Sequence, residues 1–122
     1  MGVLFSSPRV LSGSTDGRPI KVAATSTPGT LLHTGVAGTD DLDHVTLYAT
    51  NTSATPVKLT LEWGGTTSPD DLVEVYVRGE SGLELVADRV PIRNGLVVRA
   101  FGGTTNVLNV VGRITRTADE TA

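Results

Sequence analysis

The sequence predicts an all-β domain: an antiparallel β-sandwich or jelly-roll-like fold of about eight strands. Three observations carry this. Val45, Leu47 and Ala49 alternate with Thr46, Tyr48 and Thr50, and Val57, Leu59 and Leu61 alternate with Lys58, Thr60 and Glu62. The two runs flank the polar break Asn51–Pro56, which is the pattern of a hairpin whose strands each bury one face. Downstream, turn-forming clusters return roughly every 10–12 residues, and no segment carries a helical period.

In chain order, residues 1–19 read as an extended N-terminal arm. After Val3, Leu4 and Phe5 the segment is mostly Ser, Gly, Arg and Pro, with only Val10 and Leu11 apolar. Residues 20–116 form the sandwich. Ile20–Thr25 reads as its first strand, Thr27-Pro28-Gly29 as a turn, and Leu31–Val36 as a short second strand weakened by Gly35. Asp40, Asp41, Asp43 and His44 form the densest charge cluster. Their spacing does not match a calcium loop, so the cluster reads as a solvated turn leading into the hairpin.

Asn51, Thr52 and Ser53 satisfy the turn with their own side chains, and Trp63 closes the second strand as a lid on the core. Leu72–Val77 is a strand by alternation, despite the helix-start pattern Ser68-Pro69-Asp70-Asp71 before it. Leu83, Leu85 and Ala87 alternate with Glu84, Val86 and Asp88. Arg89–Arg93 is irregular, and Pro91 excludes it from a central strand position. Asn94-Gly95 is a tight-turn signal. Leu96–Phe101 is apolar on both faces and is expected to be buried on both. Val107–Thr115 is the last strand, with Leu108, Val110 and Ile114 on one face, and residues 117–122 read as a polar tail.

A length of 122 residues suits one domain. With 39% hydrophobic but only 4% aromatic residues, the core must be built from Val, Leu and Ile. Such a thin core favours oligomerisation. There is no cysteine, so disulfides and thiolate chemistry are excluded. A net charge of −3 argues against a nucleic-acid partner, and the apolar runs are too short for a membrane span. The opening residues lack the pattern of a secretory signal.

No nucleophile elbow, zinc-protease helix motif or phosphate loop occurs, so the chain reads as a non-enzyme without cofactor or metal. Asp70 and Asp71 are adjacent on extended chain and point to opposite sides, which does not suit paired acid–base work. Every basic residue after Lys58 is Arg, and Arg99 and Arg113 lie within apolar strands. That choice suits ion pairs at an interface, with Glu62, Glu74 and Glu84 as candidate mates. Ordinary cross-strand pairing within one subunit fits equally well.

From Leu42 to Ile114 the pieces DHVTLYATNTSATPVKLTLEWGG, SPDDLVEVYV, ESGLELV, NGLVVRAF and NVLNVVGRITR resemble small virion structural proteins of tailed bacteriophages. Some of these are capsid decoration (cement) proteins. The resemblance implies a protein made in the host cytoplasm that sits on the outer capsid surface. It implies the major capsid protein as partner, and a homo-oligomer with a trimer favoured. Phe5, Arg9, Arg18, Arg99 and Arg113 are then the candidate subunit or capsid interface. A tail- or neck-associated β module is the alternative. A carbohydrate-binding sandwich using Trp63, Tyr48 and Tyr76 as its platform is a third reading.

Overall fold

A computed structural model describes residues 3–120. Among them there are nine strands and no helix. The strands are β1 (Val3–Val10), β2 (Ile20–Lys21), β3 (Thr30–Thr34), β4 (Leu42–Asn51), β5 (Val57–Trp63), β6 (Leu72–Val77), β7 (Glu84–Ile92), β8 (Val97–Gly102) and β9 (Leu108–Glu120). They form two antiparallel sheets. One has the order β1-β9-β4-β7, with β2 also on β9, and the other the order β3-β8-β5-β6. The pairs nest: β5–β6 lies inside β4–β7, then β3–β8, then β1 and β2 on β9.

The two sheets turn their buried faces to one core. Leu47, Val110 and Ile114 from the first meet Leu32, Leu59, Leu61 and Val98 from the second, all fully buried. No Phe, Tyr or Trp ring is buried among the described residues: Trp63 and Phe101 are half-buried, and Phe5, Tyr48 and Tyr76 are exposed. The aliphatic core expected from composition is therefore what forms.

β4 and β5 keep their alternation, but they do not form the predicted hairpin: β4 pairs with β7 and β9 in one sheet and β5 with β6 and β8 in the other, so the polar break between them carries the chain across from sheet to sheet. That connection is organised by Asn51. This side chain is completely buried and uses its whole hydrogen-bonding capacity. Its Nδ2 donates to the carbonyls of Thr55 (2.8 Å) and Val77 (2.9 Å), and its Oδ1 accepts from the Ser53 N–H (2.9 Å) and hydroxyl (2.7 Å). Asn51→Ala orphans these buried groups and is expected to cost about 2 kcal/mol, read as a lower urea midpoint at unchanged slope. Asn94 (φ 63°) and Gly95 (φ 69°) form the left-handed pair that the β7–β8 turn requires.

Five further expectations are corrected. The first part of the presumed arm is a sheet strand, β1, paired with β9 along its whole length from Val3↔Glu120 to Val10↔Arg113, and residues 11–19 are a loop anchored by the buried Leu11. The polar tail is likewise strand as far as Glu120, while residues 1–2 and 121–122 lie outside the described part. β8 is not buried on both faces. Val98 and Ala100 face the core, whereas Val97, Arg99 and Phe101 are half-buried on the outer face. In β7, two register shifts against β4 place Leu85 opposite Tyr48, and Leu85 stays exposed. The strand predicted over Ile20–Thr25 keeps its ladder only at Ile20 and Lys21.

Candidate functional site

The five candidate interface residues do not form one site. Phe5 and Arg9 share one side of β1, where Phe5 pairs with Ala118 and Arg9 with Ile114. Val10, on the other side, pairs with Arg113, which in turn lies opposite Thr46 of β4. Arg18 belongs to the loop after β1. Its N–H donates to the Thr15 carbonyl (2.9 Å), and its own carbonyl accepts the Ser14 hydroxyl (2.7 Å). Asp16 and Gly17 take positive φ and turn the loop back so that Gly17 lies over Val10.

Phe5, Arg9, Val10, Arg18 and Arg113 are all exposed, and they gather along β1 and its loop. No ion pair engages Arg9, Arg18 or Arg113 among the described side chains. This edge of a chain of net charge −3 thus carries three arginines against Asp16 of the same loop, with Phe5 and Arg9 on one side of the sheet and Val10 and Arg113 on the other. Arg99 stands apart, half-buried on the outer face of the other sheet, where it donates to the Gly29 carbonyl (3.3 Å). None of the expected mates pairs with Arg99 or Arg113. Glu74 binds Lys58 (2.9 Å) and Glu84 binds Arg78 (2.8 Å).

Glu62 is almost completely buried although it lies on the outer face of its sheet. The loop before β3 covers it: Oε2 accepts the Thr27 hydroxyl (2.6 Å) and Oε1 the Gly29 N–H (2.6 Å). Gly29 is required there because a Cβ would meet the Ala100 backbone at 2.5 Å.

Beneath β1 lies a charge cluster of Asp43, His33 and Arg116, of which Asp43 was expected in a solvated turn with Asp40, Asp41 and His44. Asp43 is fully buried. Its carboxylate accepts Arg116 Nε (2.6 Å), Arg116 Nη2 (3.0 Å), His33 Nε2 (2.8 Å) and the Val36 N–H (3.0 Å). His33 Nδ1 accepts the Ser12 N–H (3.1 Å), so the proton that meets Asp43 is on Nε2. Burial pushes the Asp43 carboxyl up, but the hydrogen bonds from Arg116 and His33 and their charges outweigh it and hold it below the usual range. The same contact raises Arg116. Arg116 is also the register partner of Ser7, so the cluster fixes the part of β9 on which β1 docks. With every carboxylate oxygen and ring nitrogen engaged, the cluster is a structural tie. Among the described residues no group of three or more His, Asp or Glu is arranged to hold a metal ion.

An open cleft of about 680 Å³ is bordered by Leu42, Trp63, Pro91, Ile92, Arg93 and Leu96. Trp63 forms its wall, and the indole N–H donates to the Pro91 carbonyl (3.3 Å). Tyr48 lies on the outer face of β4 and Tyr76 on β6 of the other sheet, so the three aromatic rings form no common platform. No family model matches this chain, and no curated protein matches it.

Proposed function

We propose that this protein is a jelly-roll structural module of a tailed-phage virion, and that it decorates the outer capsid surface through the margin formed by β1 and its loop. The nested pairing supports the jelly roll. If β1 and β2 count as one interrupted strand, the chain is a long hairpin rolled into two four-strand layers, an order of the kind found in viral capsid domains. Fold alone does not assign function. The observation that carries docking is the margin itself, where Phe5 and Val10 sit exposed near Arg9, Arg18 and Arg113, which have no ion pair among the described residues. An edge with Phe5 and Arg9 on one side and Val10 and Arg113 on the other, its arginines without ion pairs among the described residues, suits an acidic, partly apolar groove that takes the edge between its walls. On a shell, the same small contact repeats over many sites, and its strength comes from that repetition.

Co-sedimentation with undecorated shells tests this reading. Wild-type protein is expected to pellet with shells, and binding should weaken as salt rises. The Arg9→Glu, Arg18→Glu, Arg113→Glu triple variant is expected to bind at least about tenfold more weakly, since one like-charge contact already costs about 1.4 kcal/mol or more. Equal pelleting of wild type and triple variant would rule the margin out as the docking surface. Labelling at the tail instead of the head would favour the tail module.

A further inference from the structure

The four outer strands of the two sheets are not equally protected. β1 carries Pro8 and Arg9. β7 carries Pro91, two register shifts and Arg89 at positive φ. β3 has a register shift, and the loop after β1 covers its edge: Gly13 N–H donates to Leu32 O (2.9 Å) and Thr34 N–H to Ser12 Oγ (2.7 Å). These are the devices that keep an edge from pairing with another chain. β6 has no proline, no register shift and, among the described residues, no covering loop. Its sequence is LVEVYV, its register on β5 is unbroken, and Val73 and Tyr76 are 46% and 67% exposed. Its one charge, Glu74, is paired with Lys58 of the same chain.

The free hydrogen-bonding groups of this edge can be assigned. Trp63 N–H donates to Asp71 O (2.9 Å), so on this ladder the bonded pairs continue as Leu61–Val73, Leu59–Val75 and Val57–Val77. The N–H and C=O of Glu74 and Tyr76 therefore point away from β5.

We infer that a second copy of this chain adds here, β6 to β6 and antiparallel, with Val75 of each copy on the two-fold axis. A two-fold perpendicular to the sheet pairs residues of like parity, so the axis can pass only through a residue. Centred on Val75, each Glu74 forms a bonded pair with the other copy's Tyr76 and every free group of both residues is used. Centred on Glu74, the two carboxylates would face each other, which disfavours that register. Centred on Tyr76, the pairing would draw in Arg78, which lies beyond the strand end, binds Glu84 and already accepts the Ser81 hydroxyl on its carbonyl.

A second observation agrees. The hollow beside this edge, about 340 Å³, is bordered by the apolar Leu61, Trp63, Leu72, Val73 and Val86, with Asp70 and Asp71 at its rim. The two-fold keeps both inner faces on the same side, so one hollow lies at each end of the seam, where the other copy's Val77 comes opposite Val73 and covers part of its apolar wall. The order this edge supports is two, not the trimer that the resemblance implies. The pairing does not depend on shell binding.

Mass in solution, measured by light scattering over a concentration series, tests the inference together with edge variants. Wild type should reach twice the 12.7 kDa chain mass. Glu74→Pro removes an N–H that β5 does not use, which an edge strand tolerates. It should weaken the dimer at least tenfold while keeping the wild-type circular dichroism. Val73→Lys should act in the same direction. Because the chain has no cysteine, Val75→Cys places the only thiols at a non-bonded pair about 4.5 Å apart between Cα atoms, within disulfide range. It should form a covalent dimer on oxidation, while Glu74→Cys should not. A monomer at all concentrations, a trimer, or a dimer indifferent to both Glu74→Pro and Val73→Lys would overturn the inference. Cross-linking through Glu74→Cys but not Val75→Cys would overturn the register. Shell co-sedimentation of the Glu74→Pro variant separates failure of this pairing from failure of the docking margin.

Discussion

Replacing Asp43 by Asn is expected to destabilise the fold by about 3 kcal/mol, because removing one member of a buried ion pair leaves the other without compensation. Arg116 is partly exposed, with 22% of its side chain accessible, so the low end of the usual range applies. The loss reaches further than one contact. His33 loses its carboxylate acceptor and Arg116 its fork partner, and the Val36 N–H keeps at best an amide oxygen in place of a charge. The pH dependence has a definite sign. The Asp43 carboxyl is lowered in the folded chain relative to its ordinary value of 3.8. Its contribution is therefore fully present above that value and is lost as pH falls through the lower folded value. Urea unfolding of wild type and Asp43→Asn should show a constant gap near neutral pH that closes on acidification below 3.8. A gap that widens with acid would contradict the arrangement.

Gly112→Ala is expected to cost about as much, roughly 3 kcal/mol, at the upper end for overpacking a close-packed site. Gly112 sits in β9 opposite Leu47 of β4. A Cβ there would collide with the Thr46 carbonyl oxygen and press on the Leu47 side chain at 3.0 Å. The obstacle on one side is backbone in a central ladder, so relief requires β4 and β9 to move apart. Thermal unfolding measures it. A variant as stable as wild type would mean that the two strands are further apart than described.

Much of this arrangement was legible from parity. In β4 the alternation that sends Val45, Leu47 and Ala49 inward also sends Asp43 and Asn51 inward, and both are fully buried. In β9 the parity of Leu108, Val110 and Ile114 predicts the inward turn of Arg116. Extending each apolar run by one period at each end would have found the buried ion pair, which charge density alone assigned to solvent.

Other features left no such trace. β1 has no apolar period because, as an edge strand, it is held by its ladder and leaves most of its side chains in water. The burial of Glu62 depends on a loop that arrives from thirty-odd residues upstream. The register shifts in β7 undo an alternation that looked sound, and they place Leu85 outside. The spread of the candidate arginines over two sheets follows from the strand order, which spacing does not encode.

Image reconstruction of shells incubated with the purified protein is the decisive measurement for capsid decoration. Added density is expected on the outer lattice of the head, with β1 and its loop toward the shell and β6 away from it. Shells without added density, or density confined to the tail, would contradict decoration of the head.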